Sequence, residues 1–346
     1  MRSVRQARRI VALTLTLFLS LVSLHAGAQA PNALTLATAL TDGSEAATGV
    51  VSARTALSKA QRDLEVAVAD PSTTPIARAS AERTVAGAEG DLAVALATAA
   101  SDVVSAYTDV LQAETTRALA ERQLDILTRT LEATKVRFGA GAVTSVDVSK
   151  AESDVAGQQR TLQEAETDLM FAKDSLAALL GKDVGALEPV TEADVLPDAD
   201  IEAASANALD GSARVATARR SLEAARLQLA AVDNALSARA DIDTARTAVG
   251  TAEDTLSDTE ATVTRDVQRA LASVTAAKNR YRGALDSAAA AATDLAAQQV
   301  RLSAGTISEL AYAQAQLTLA NSRASAASAL HALLSAQYAL LLTAAR

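Results

Sequence analysis

Thr144 and Asp147, three residues apart and just downstream of Gly139 and Gly141, have the spacing of residues that serve a helix end. A hydroxyl at Thr144 or Ser145 can cap the amides of a following helix, and a carboxylate at Asp147 falls in its first turn, where unpaired amides favour negative charge. The same chemistry suits any turn between two helices. Little else in the chain suggests bond-making. The two histidines, His25 and His331, stand alone and cysteine is absent, so neither a zinc site nor a nucleophilic triad can be assembled. Carboxylates such as Asp42, Glu45, Asp194 and Asp198 are scattered over caps, linkers and solvated faces, and the glycines form neither a Walker loop nor a dinucleotide fingerprint. The expectation is no catalytic, cofactor-binding or metal residues and no enzyme. Tyr107, Tyr281, Tyr312 and Tyr338 are expected to be packing residues.

The stretch around these two residues occurs twice. RFGAGAVTSVDV, Arg137 to Val148, returns in outline as RLSAGTISELAY, Arg301 to Tyr312. A shift of 164 residues places Arg137 on Arg301, Gly141 on Gly305 and Thr144 on Ser308. The same shift superimposes apolar residues upstream, such as Val103 on Val267 and Val110 on Val274, so the chain reads as a duplication.

The elements that hold these turns follow from a period of seven. Leu96, Val103, Val110, Leu124, Leu131 and Phe138 form one series, and Leu92, Ala99, Ala106, Ala113, Ala120 and Leu127 another, with Arg117 interrupting the first and expected to snorkel or face a groove. In the second copy Val267, Val274, Tyr281, Ala288, Leu295 and Leu302 run beside Val263, Ala270, Ala277, Ala284 and Ala291. This pattern predicts two rods, roughly 76–138 and 242–302, each on the order of 90 Å long at about 1.5 Å per residue. Returning helices carry Val155, Leu162, Leu169 and Leu176 after the first turn and Leu319, Ala326, Leu333 and Leu340 after the second. Gly139 and Gly141 are expected to end the first rod by taking backbone angles open to glycine.

Upstream of each rod a further helix is introduced by Asp42-Gly43-Ser44 or by Asp210-Gly211-Ser212, triplets 168 residues apart, so the halves are expected to differ by about one helical turn there. The first of these helices ends at Asp70-Pro71, and its counterpart turns near Ser237 to Asp241. Gly181 to Asp200, with two prolines and several acids, reads as an extended linker with one short helix at most. The division is a leader at 1–30, a first helical repeat at 31–180, a linker at 181–205 and a second repeat at 206–346.

Composition agrees with close-packed rods. Of 346 residues, 49% are hydrophobic but only 2% aromatic, with no tryptophan, so packing falls to alanine, leucine and valine. Arg2, Arg5, Arg8 and Arg9 precede an apolar run from Ile10 to Leu24 and then Ala28-Gln29-Ala30, the layout of a secretory signal peptide cut before Pro31. Its removal takes away four arginines and no acid, moving the formal net charge from −9 to −13. A chain this acidic argues against nucleic acid as a partner.

Arg137-Phe138, Gly141, Thr144, Asp147 and Val148 match the R-[FY]-x-x-G-x-x-[ST]-x-x-[DE]-[VL] pattern that follows the long helix in the TolC-like outer-membrane efflux protein family. The second copy keeps Arg301, Gly305 and Ser308, and Leu179-Leu180-Gly181 resembles the end of the family's first repeat. The resemblance covers nearly the whole mature chain. It implies an all-α protomer of two tandem coiled-coil hairpins, a homotrimer whose twelve helices make a periplasmic tunnel, and export of solutes with a periplasmic adaptor and an inner-membrane transporter. It also implies that Arg137, Gly141, Thr144, Asp147, Arg301, Gly305 and Ser308 lie at the partner-binding tips, in a protein exported to the periplasm or outer membrane of a diderm bacterium.

Two departures shape the expectation. Family members carry a β-hairpin between the first helix and the rod of each half, with strands of about 9–11 residues. Here those places hold only Asp70 to Pro75 and Ser237 to Asp241, so little or no β-barrel is expected and outer-membrane association stays open. Secondly, some members place carboxylates at the positions of Ala311 and Gln314, where this chain has none; Glu309 points about 160° away from Ala311 around an ideal helix. A second reading follows: a non-pore spacer of the cell envelope on the same scaffold.

Overall fold

The structure, a computed structural model, describes residues 33–234 and 237–346. The leader expected at 1–30 lies outside the described residues. In chain order the helices are α1 (Leu36–Ala46), α2 (Thr48–Ala69), α3 (Pro75–Gly139), α4 (Ser145–Leu180), α5 (Asp198–Ala206), α6 (Ala208–Gly211), α7 (Ala213–Val232), α8 (Arg239–Ser303) and α9 (Glu309–Ala345). Among the described residues no β-strand forms; one isolated bridge joins Leu34 to Leu187. The fold is all-α, as the seven-residue period requires.

Both rods, α3 and α8, are 65 residues long, which is about 98 Å at 1.5 Å per residue. The first starts cleanly because Thr74 accepts a hydrogen bond from the Ala77 amide and Pro75 occupies the first helical position. Arg117 reaches back into solvent, where it bonds Glu121 at 2.6 Å, so it snorkels as its break in the seam suggested.

The 164-residue shift holds along the whole length of both copies, which corrects the expected one-turn difference. Ser212 caps α7 by accepting from the Val215 amide, and its counterpart under the shift is Thr48, the first residue of α2. Asp42-Gly43-Ser44 does not open a helix: Gly43 lies buried inside α1. A Cβ placed on it would fall 2.3 Å from Val103 Cγ2, so the glycine is there to let α1 approach the rod. Likewise the turn expected at Ser237 to Asp241 begins earlier, α7 ending at Val232 and α8 starting at Arg239.

The four longest helices lie side by side in the order α4, α3, α9, α8, each packed along its neighbour, while α4 and α8 make no extended contact with one another. At the ends away from the turns, α2 flanks α3 and α7 flanks α8. The core is a belt across the middle of this layer, where Val103, Val104, Tyr107 and Val110 of α3 meet Leu176 of α4 and Leu334 and Leu340 of α9. A second cluster of Ala208, Val215, Val263, Val267 and Ala344 fastens the start of α7 to α8 and the chain end. Away from the belt the seams thin out. Phe138, the last residue of the first series, is 47% exposed because the returning helix no longer covers it.

The segment expected as an extended linker is tied down. It holds a 3-10 turn at Glu192–Asp194 and the start of one short helix, α5, with Leu187 and Leu196 buried in the main core. The Tyr107 hydroxyl lies 2.8 Å from the Leu34 carbonyl and 2.7 Å from that of Glu188, sharing its proton between them. Burial pushes its pKa well up, which keeps the donor protonated. On the opposite wall Gln337, 2% exposed, accepts from the Leu196 amide at 3.0 Å and donates to its carbonyl at 2.9 Å.

Candidate functional site: the two hairpin tips

Each rod ends in the same backbone geometry. Gly141 has φ 73° and Gly305 φ 69°, a left-handed conformation that glycine adopts without the Cβ penalty. The amide of Ala142 bonds the Arg137 carbonyl at 2.8 Å and that of Gly141 bonds Phe138 at 2.9 Å. In the second copy Thr306 bonds Arg301 and Gly305 bonds Leu302, both at 2.9 Å. These paired bonds, from the second residue past the cap to the third-last helical residue and from the first past the cap to the second-last, form a Schellman closure. Gly139 keeps ordinary helical geometry as the last residue of α3, so of the two glycines expected to end the rod only Gly141 does so by its backbone. Arg137 and Arg301 sit in the last turn, where a cation faces the free carbonyls.

The helices that return are capped unequally. Thr144 accepts from the Asp147 amide at 3.3 Å, and the Asp147 carboxylate accepts from the Thr144 amide at 2.8 Å and its hydroxyl at 2.7 Å. This is a reciprocal capping box. Those two bonds, the amide first, hold the Asp147 carboxyl below the usual carboxylate range. Ser308 accepts from the Ala311 amide at 3.2 Å, but Ala311 has no carboxylate to return the bond. The substitution of alanine for an acid at this position therefore leaves the second tip with one side-chain cap where the first has two.

Arg137, Gly141, Thr144 and Asp147 thus come together in one turn, and Arg301, Gly305 and Ser308 in the other. Because α9 runs antiparallel beside α3, both turns lie at the same end of the layer. Among the described residues no hydrogen bond or ion pair joins one tip to the other. A Cβ on Gly141 or Gly305 would meet no atom within 4 Å, so both tips face open space. Further back, Lys135 and Glu152 at 3.1 Å tie α3 to α4. Among the described residues no group of acids and histidines is placed to hold a metal ion.

Residues 74–182, which comprise α3, the first tip and α4, match the family model described as outer membrane efflux protein. Within this segment lie Arg137, Gly141, Thr144 and Asp147, while the second tip repeats the closure outside the matched span. An 87-residue stretch is 31% identical to nodulation protein T of Rhizobium leguminosarum bv. trifolii, a match covering 25% of this chain and about a fifth (19%) of that protein. Among solved structures, the outer membrane protein VceC of Vibrio cholerae superimposes with TM-score 0.63 at 15% identity, over 90% of this chain and 96% of that one. The CmeC outer membrane channel of Campylobacter jejuni gives 0.61 at 11% identity, over 94% and 91%. The chain therefore shares its fold with these outer membrane protein structures.

Sequence reasoning passed over Tyr107 and Gln337 as packing residues or not at all. Neither has a local signature; each is defined by a carbonyl or amide 81 to 141 residues away.

Proposed function

We propose that three copies of this chain close into a periplasmic α-helical tunnel through which solutes leave the cell, with Arg137, Gly141, Thr144, Asp147, Arg301, Gly305 and Ser308 at the mouth that meets a periplasmic adaptor and an inner-membrane transporter. The observation that carries this reading is the open layer. Its edges, α4 and α8, have no other long helix on their outer sides, α7 flanking α8 only away from the tips, and they are unlike one another. Unlike edges pair head to tail, and such contacts close a ring when the layer curves. Met170 and Phe171 on α4 and Leu285 and Val300 on α8 stand 52%, 59%, 39% and 67% exposed, apolar surface that a neighbouring copy would cover. The number three, the adaptor and the transporter come from the family resemblance. In the repeat division this implies, 31–180 and 206–346 each supply one hairpin to the wall, and 181–205 forms the girdle between them.

A second reading is favoured by the far ends of the rods. The turn Asp70–Thr74 joins α2 to α3 directly, and no strand forms among the described residues. On this reading the same scaffold is a spacer in the envelope that supplies no membrane pore of its own. Replacing Gly141 and Gly305 by tryptophan and following export and adaptor cross-linking in the native cell separates the two. The tunnel reading expects both to be lost, and unaffected export would remove it.

A further inference from the structure

Between the belt and the tips, α3 and α9 part around a cleft of about 830 Å³. On α9 its lining is small: Ala313, Ala320 and Ala327 recur every seven residues along it, where leucines such as Leu334 fill the core further on. The floor is apolar, with Leu119, Ile126 and Leu317 among its residues. Four charged side chains border it. Glu121 and Asp125 are neutralised by Arg117 and Arg129 at 2.6 and 2.9 Å on their own helix. Arg122 of α3 and Arg323 of α9, on opposite walls, make no ion pair or hydrogen bond within the described chain.

We propose that this cleft binds an amphiphilic carboxylate, its apolar body along the alanine-lined floor and its head group between Arg122 and Arg323. Two unpaired guanidiniums over an apolar floor are complementary to that chemistry, because each presents a planar fork to a carboxylate. The volume lies within the usual range of ligand sites, about 300–1,000 Å³. The cleft is lined almost wholly by α3 and α9, the two middle helices of the layer, and not by the outer sides of α4 and α8 through which a ring would close. The inference needs no ring, and holds for a monomer as well.

Titration calorimetry of the purified mature chain with monomeric dodecanoate tests it. One saturable site per chain is expected, with dodecanol binding at least about tenfold more weakly, the order of one charge-assisted interaction. R122Q and R323Q should each weaken dodecanoate to a similar degree, and Ala320→Leu should block the floor while leaving the circular dichroism unchanged. Binding that is unsaturable, indifferent to the two arginines, or equal for dodecanol would overturn the proposal. So would capture of an acidic amphipathic peptide by a chain that ignores dodecanoate, which would give the cleft to a protein partner.

Discussion

Replacing Gly43 by alanine should destabilise the protein although alanine is the better helix former. In an open helical position the exchange gains about 1 kcal/mol. At Gly43 the new methyl would fall 2.3 Å from Cγ2 of Val103, a β-branched side chain 1% exposed and unable to swing aside. Overpacking of this kind costs about 1–3 kcal/mol, so the net effect ranges from near zero to about 2 kcal/mol of lost stability. Gly250→Ala, in α8 with nothing within 4 Å of the added carbon, serves as the reference and should gain the full helical increment. Val103→Ala alone should cost about 1–3 kcal/mol by leaving a cavity. Combined with Gly43→Ala it removes the obstructing methyl, so the double variant should be more stable than the sum of the singles by about 1–3 kcal/mol. Urea unfolding followed by far-ultraviolet circular dichroism, at one protein concentration because assembly links stability to concentration, measures all four. Gly43→Ala gaining as much as Gly250→Ala, or strict additivity with Val103→Ala, would show that α1 does not pack on the rod as described.

Tyr107→Phe removes the one proton shared by the Leu34 and Glu188 carbonyls and should cost about 1–3 kcal/mol in the same unfolding measurement, with early loss of protection in the linker by hydrogen exchange. His331 is buried with no partner for Nδ1, and burial lowers its pKa from the ordinary 6.5, Asp109 opposing this. The unfolded chain then takes up a proton at higher pH than the folded one, so this group's contribution is present above about pH 6.5 and lost as the pH falls toward the lowered value. His331→Leu should flatten that part of the curve of thermal midpoint against pH. The tips should differ as their caps do: amides in the first turn of α9 should exchange faster than those of α4, and Thr144→Ala should erase the difference. Because the Asp147 pKa is lowered, that difference should persist above the usual carboxylate range and fade as acid protonates the box.

The rods were legible in the sequence because a seven-residue seam leaves its mark on every turn, and α3 begins and ends within one residue of the predicted 76 and 138. Both tips were legible for a related reason: Gly141 and Gly305 need a left-handed backbone, and Thr144 and Ser308 act on amides three residues away. Gly43 was misjudged since a glycine between aspartate and serine has the look of a helix break, whereas its reason is Val103, sixty residues on. The linker was misjudged because its prolines and acids suggest solvent, while Leu187 and Leu196 are held by Tyr107 and Gln337 from distant helices. The cleft was invisible: an alanine heptad signals close approach, and only the structure shows α3 and α9 standing apart there.

The central claim is that an open four-helix layer closes through its unlike edges. Electron microscopy of the purified mature protein tests it most directly. Hollow particles with threefold symmetry, walled by twelve long helices and about 98 Å in length along the rods, are the predicted result. A solitary protomer, or a bundle with no central passage, would contradict it.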